Sequence, residues 1–283
     1  MDHYKIFAFA DEADAQIDGQ IRAMVRNGLD GLEIRGVDGC NISEISMEKA
    51  KEVRRKLTAN GLSVWSIGSP IGKIPMDGDF DAHKELFRHT LEVAEILGAG
   101  NIRMFSFFMP EADCEKNRQA VIDRLGQLLE IARDTGIRLC HENEKGIYGA
   151  TAQRCLELHK ALPELKAVFD PANFVQCGED TRKAWQLLDP YISYLHIKDA
   201  LPDGTVVPAG KGAGNIAYIV RKFLESKRYA LTLEPHLTVF EGLKDLEEEG
   251  NTSSIDGSAY ATAEEAFDAG CAALRNILKG MKG

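Results

Sequence analysis

The 283-residue chain predicts an α/β fold, a (β/α)8 barrel formed as a single domain over residues 1–283, and three observations lead there. Eight short apolar runs alternate with longer amphipathic stretches, glycine recurs where an amphipathic stretch gives way to the next run, and no Gly-x-Gly-x-x-Gly follows the first run. Strands joined by helical crossovers pair in parallel and need cover on their outer face, and eight such units match barrel closure. The competing arrangement, a doubly wound open sheet, would want its glycine fingerprint where Phe9-Ala10-Asp11-Glu12 stands.

Taken in order, the first strand is expected over residues 5–9, with a helix over 16–27 closing on Asn27-Gly28. The second, 31–35, leads to a helix over 47–60 that ends at Asn60-Gly61. Strands over 62–67 and 101–105 precede helices over 83–97 and 116–135, which stop at Leu97-Gly98 and Thr135-Gly136. Apolar residues at i, i+3 and i+4 mark these helices, and glycine after the last turn accepts the left-handed conformation that ends one. A fifth strand over 138–142 leads into a helix over 151–162, and the remaining strands are expected over 167–170, 193–197 and 230–234. No Pro- or Ser-rich linker divides the chain. Residues 239–261, with Glu247-Glu248-Glu249 and Asn251-Thr252-Ser253-Ser254, read as a polar, solvated loop; a lid over the barrel mouth is the sharper reading.

Composition narrows the function. A formal net charge of -10 and a pI near 5.3 repel a phosphate backbone, which argues against nucleic acid as partner. The first ten residues lack a signal-peptide pattern and no later run is apolar enough to span a bilayer, so a cytoplasmic protein without a membrane partner is expected. Six cysteines, dispersed with no Cys-x-x-Cys, fit reduced thiols. Homo-oligomerisation is left open.

Catalytic groups of such a barrel come from the C-terminal ends of its strands. The fifth ends in His141-Glu142-Asn143-Glu144-Lys145, the sixth in Asp170-Pro171-Ala172-Asn173, the seventh in His196-Ile197-Lys198-Asp199 and the eighth in Glu234-Pro235-His236. Three carboxylates converging on one mouth would repel one another and suffer desolvation, and a divalent cation on Glu142, Asp170, His196 and Glu234 relieves both. Alone, a strand-end histidine is more often a hydrogen-bonded structural group and an Asp before Pro more often a turn or helix cap; four in consecutive units read as a metal site. Three oxygens and one nitrogen suit Mn2+ first, then Mg2+, Co2+ or Zn2+. Substrate contacts are expected from Lys145, Asn173, Lys198, His236, Glu33, Arg35 and Ser69, with Ser66 nearby; the alternative for each is a side chain that supports the site from behind or an ordinary surface charge. Gly210-Lys211-Gly212-Ala213-Gly214 reads either as an amide cradle for an anion or as a turn into the next helix.

Phe169-Asp170, Leu195-His196-Ile197-Lys198-Asp199, Leu233-Glu234-Pro235 and the Gly210–214 loop resemble the corresponding segments of the xylose-isomerase-like TIM-barrel superfamily, over nearly the whole chain. That resemblance implies Glu142, Asp170, His196 and Glu234 as ligands, with the two glutamates also acting as acid and base. The superfamily includes sugar and sugar-phosphate epimerases, hydroxypyruvate isomerases, inosose and dehydroshikimate dehydratases, and apurinic endonucleases. Many of its epimerases carry His three residues after the sixth-strand Asp, where this chain has Asn173.

The expected activity is isomerisation or epimerisation of a small keto-sugar or its phosphate through an enediolate, with Glu142 and Glu234 moving protons. A dehydratase acting on a keto-inositol or keto-sugar is the alternative. An endonuclease-type hydrolase with several zinc ions needs more imidazoles than 7 histidines supply at strand ends.

Overall fold

The computed structural model describes residues 4–240, 255 and 259–281. Its parallel strands are β1 (Lys5–Ala8), β2 (Gly31–Ile34), β3 (Ser63–Gly68), β4 (Asn101–Met104), β5 (Arg138–Glu142), β6 (Lys166–Phe169), β7 (Ile192–Ile197) and β8 (Ala230–Leu233). Each pairs with its sequence neighbours, and β1 also pairs with β8 from Lys5↔Ala230 to Ala8↔Leu233, closing the barrel. All eight expected strands are present, with ends moved by a residue or so. Five stop just before the residue whose side chain turns into the mouth: Phe9, Arg35, Phe105, Asp170 and Glu234 lie one position past the last paired residue.

The outer layer consists of α1 (Ile17–Arg26), α2 (Met47–Ala59), α3 (Phe80–Leu97), α4 (Cys114–Ala132), α5 (Ala152–Ala161), α6 (Pro171–Gln176), α7 (Thr181–Leu188), α8 (Ile216–Glu225) and α9 (Ala263–Gly280). Side-chain caps set several starts: Ser46, Asp79, Thr151, Asp180 and Thr262 each accept a backbone N–H of the first turn. At the other end, Gly28, Gly61 and Gly98 take φ of 53°, 70° and 69°, and each donates its N–H three residues back, to Val25, Thr58 and Glu95. The polar loop expected over residues 239–261 falls mostly on 241–254 and 256–258, outside the described residues.

Inside the barrel the filling changes along the axis. Near the strand starts Phe7 stacks on Trp65, with ring centroids 5.2 Å apart, and Tyr229 meets Trp65 edge-on. Towards the strand ends the interior turns polar, with Glu33, Ser66 and His196 fully buried. Two register shifts interrupt the ladder: Leu32↔Val64 is followed by Glu33↔Ser66, and Ala167↔Ile192 by Val168↔Tyr194, so Trp65 and Ser193 are the bulged residues. These bulges align Glu33, Ser66 and Tyr194 for contact across the interior. Above the strand ends, bridges Pro75↔Phe108 and Phe108↔Ile147 join the loops after β3, β4 and β5 into one wall. No described helix is long and apolar enough to cross a membrane.

Candidate metal centre

Four consecutive strands bring Glu142, Asp170, His196 and Glu234 together, with one ligand atom from each lying within 4.8 Å of the others. All four are buried. His196 Nδ1 stands 3.0 Å from Glu142 Oε1 and 3.2 Å from Glu234 Oε2. Asp170 caps α6, its Oδ1 accepting the Asn173 N–H at 3.0 Å. Its other oxygen, Oδ2, is buried without a hydrogen bond, with Lys198 Nζ 2.9 Å away as an ion-pair partner.

The remaining polar atoms of the set are tied to protein groups. Arg103 Nε lies 3.2 Å from Glu142 Oε2, and Arg35 donates to Glu234 Oε1 at 3.1 Å. His196 Nε2 faces Glu33 Oε2 at 3.0 Å, while Glu33 Oε1 accepts from the Tyr194 hydroxyl at 2.7 Å, itself 3.1 Å from Ser66 Oγ. A histidine that donates Nε2–H to Glu33 presents a lone pair on Nδ1, the side facing the carboxylates. Phe9 separates the two arginines, with the Arg35 guanidinium 4.4 Å and that of Arg103 5.5 Å from its ring centroid. Gly68 allows Phe9 this place, since a Cβ there would meet its ring at 2.5 Å.

The electrostatics follow from burial and these pairings. Burial raises the carboxyl of Glu142, but the imidazole of His196 and the guanidinium of Arg103 outweigh it and hold the group at about 2. Glu234 is likewise driven well below the carboxylate range against burial, by Lys198, His236 and His196. Asp170 goes the other way: burial, with Glu142 and Glu234 adding to it, pushes it to about 7 despite Lys198. Burial opposes protonation of His196, yet Glu142, Glu33 and Glu234 raise it well above the usual imidazole value. Such a set, turning one oxygen of each of three carboxylates and His196 Nδ1 towards a single point, fits a divalent cation, which would take over from the His196 proton and from the Lys198 and Asn173 contacts to those oxygens.

Around this core the expected contact residues separate into two groups. Lys198 bridges Asp170 and Glu234, at 2.9 and 3.3 Å, and Lys145 stands half-buried in the loop beyond β5. His236 takes a left-handed φ of 46°, donates its N–H to Glu12 Oε2 at 2.7 Å, and has Nδ1 3.3 Å from Glu12 Oε1. The others are engaged by the protein itself. Glu33 is enclosed with His196 and Tyr194, while Arg35 binds Asp11, Glu12 and Glu234. Ser69 Oγ donates to the Arg103 carbonyl at 2.6 Å. Asn173 Nδ2 donates to the Asn143 carbonyl at 2.9 Å and to Glu142 Oε1 at 3.3 Å. The glycine loop does hold an anion, and it is the chain's own: Gly210 and Gly212 donate to Asp199 Oδ2, and Gly214 to Asp199 Oδ1, at 2.8–2.9 Å.

Sequence reading passed over Arg103, Asn143 and Lys73. An arginine inside an apolar strand is a signal for the first. Asn143 exchanges two hydrogen bonds with the Asp170 backbone, at 2.9 and 3.0 Å, and so fixes where that side chain leaves the strand. Lys73, whose side chain is enclosed over the Phe105 ring at 4.4 Å and lies 3.7 Å from Glu144, has its ammonium pKa lowered by desolvation.

Fold and site together describe an α/β barrel whose C-terminal mouth offers a buried carboxylate–imidazole set for one divalent ion. Residues 21–253 match the xylose isomerase-like TIM barrel family, and the chain belongs to it. A curated relative, the 3-dehydroshikimate dehydratase of Bacillus anthracis, is 23% identical over 176 residues, which span 61% of this chain and 62% of that protein. Among solved structures, the D-allulose 3-epimerase of a Methylomonas species superimposes with a TM-score of 0.75 at 16% identity, covering 97% of this chain and 98% of that one. The IOLI protein, solved with a zinc atom, gives 0.74 at 17% identity and 98% coverage of both chains. At these identities the structural matches speak for the fold.

Proposed function

We propose that the protein is a cytoplasmic, divalent-metal-dependent isomerase or epimerase of a small keto-sugar or sugar phosphate, with Glu142 and Glu234 as its proton-transferring pair. The observation that carries the proposal is their opposition. They rise from β5 and β8, with β6 and β7 between, and each turns one oxygen towards His196 Nδ1 while a buried arginine holds the other. A metal ion on Glu142, Asp170, His196 and Glu234, Mn2+ by preference, would supply Lewis-acid polarisation of a ketone oxygen. One glutamate would take the proton from the adjacent carbon and keep it as its own carboxyl proton, while the other, entering protonated, would deliver its proton from the opposite face, giving an epimer; delivery to the neighbouring carbon gives an isomer. Lys198, which reaches Asp170 and Glu234, would stabilise the developing oxyanion.

Elimination is the second reading, favoured by Asn173. Its amide is committed to Asn143 and Glu142, and the position lacks the histidine of many epimerases. The 3-dehydroshikimate dehydratase relative points the same way. Incubation of the metal-loaded protein with keto-sugars and keto-inositols in deuterated water separates the two: solvent label without loss of water supports the isomerase or epimerase, and an enone absorbance the dehydratase. Glu142→Gln and Glu234→Gln should each lower turnover by at least about a hundredfold. One of them should still exchange the substrate α-hydrogen. Equal loss of exchange in both would argue for a single base.

A further inference from the structure

We propose that the N-terminal face of the barrel carries a separate site for a small planar carboxylate, floored by Trp65, Tyr191 and Tyr229 and charged by Arg138 and Lys227. A cavity of about 380 Å³ lies there, large enough for a small ligand, among residues that begin strands: Arg138 opens β5, Lys166 β6, Ile192 β7 and Ala230 β8. The metal centre sits at the other end of the same strands, four residues and so roughly 13 Å away at about 3.3 Å per residue.

Three independent features mark this cavity. Both bulged residues of the barrel, Trp65 and Ser193, line it, so each interruption of the ladder delivers a side chain to the same place. Lys227 holds φ 64° at the end of α8 and donates its N–H to the Leu224 carbonyl, the arrangement that Gly28, Gly61 and Gly98 adopt in the corresponding turns. A lysine at that point is strained relative to glycine, a strain that nothing in the turn itself requires. Finally, the cations are unequally engaged. Arg228 is paired with Asp189 and Lys166 Nζ donates to the Pro163 carbonyl, whereas Arg138 and Lys227 form no ion pair or side-chain hydrogen bond among the described residues.

In a chain of net charge -10, free cations beside three aromatic rings select for an anion with a flat apolar body. The Arg138 fork suits a carboxylate, and the rings suit an aromatic body against which it can stack. Calorimetric titration of the chelator-treated full chain with benzoate, acetate and inorganic phosphate tests this. Chelation keeps a metal ion at the far end from taking up the carboxylate. Benzoate should bind saturably with a Kd on the order of 1 mM, and acetate and phosphate at least about tenfold more weakly. The double variant Arg138→Gln/Lys227→Gly should lose at least about tenfold in benzoate affinity while its thermal midpoint stays at or above that of the parent, because glycine relaxes the turn. Three results each overturn the proposal: no saturable benzoate binding below about 20 mM, unchanged binding in the double variant, or phosphate or acetate binding as tightly as benzoate.

Discussion

The two ends of the barrel handle charge in opposite ways. At the C-terminal mouth Asp11, Glu12, Glu33, Glu142, Asp170 and Glu234 are all buried, facing the buried cations Arg35, Arg103 and Lys198. At the N-terminal face Arg138 and Lys227 stand in solvent beside aromatic rings. Where water is excluded, each charge depends on a named partner and cannot lose it cheaply; where water is present, each is nearly independent. The mouth is therefore rigid and intolerant, and the opposite face is adjustable.

Arg103→Met should break this contrast most severely. It takes from the buried Glu142 carboxylate one of its two cationic partners, leaving only His196, and should cost about 3 kcal/mol in a denaturant titration. A loss under about 1 kcal/mol would mean that Glu142 does not depend on Arg103. Acid should act next, through His141, whose pKa burial lowers to about 3. The folded protein keeps that ring neutral while the unfolded chain takes up a proton below about 6.5, so the stabilisation is complete above pH 6.5 and is lost as pH falls towards 3. Between pH 7 and pH 5 the loss should be on the order of 2 kcal/mol, and His141→Gln should flatten the slope of stability against pH. An unchanged slope would show that other groups set it.

Glu33→Gln sharpens the comparison further, because it alters no proposed metal ligand. Metal affinity, read by competition with a chelator, should fall about 10–100-fold as His196 loses its carboxylate partner; unchanged affinity would make Glu33 a filler of the interior. Smallest of all, Arg138→Gln should move stability by less than about 0.5 kcal/mol. A larger cost would erase the difference between the two ends.

Sequence made the barrel and the residues gathered at its mouth legible because both are local and repeated: a strand, the polar residue that ends it, and a capped helix. Glu142, Asp170, His196 and Glu234 could each be found at the end of its own apolar run. What holds them could not. Glu33 and His196 are 163 residues apart, and Arg35 and Glu234 are 199 apart; only closure between β1 and β8 makes the second pair neighbours. Nor does any residue pattern announce the bulges at Trp65 and Ser193, which depend on how two adjacent strands settle against each other. The glycine loop was ambiguous for a related reason: its amides could be read as a cradle, but the anion's identity rested on a fold-back to Asp199.

That fold-back changes what the loop can do. Asp199 and the amides of Gly210, Gly212 and Gly214 form a receptor with a tethered guest, and Cβ atoms on Gly212 or Gly214 would strike that carboxylate at 2.4 and 2.6 Å. A tethered guest meets its receptor at a high effective concentration, about millimolar even for a flexible linker, and a rigid turn of eleven to fifteen residues brings it higher still. Free phosphate in a cell competes poorly against such a partner. A phosphorylated substrate would accordingly have to find its anchor elsewhere in the mouth, and the loop acts as a clasp that fixes the path of the chain from β7 into α8.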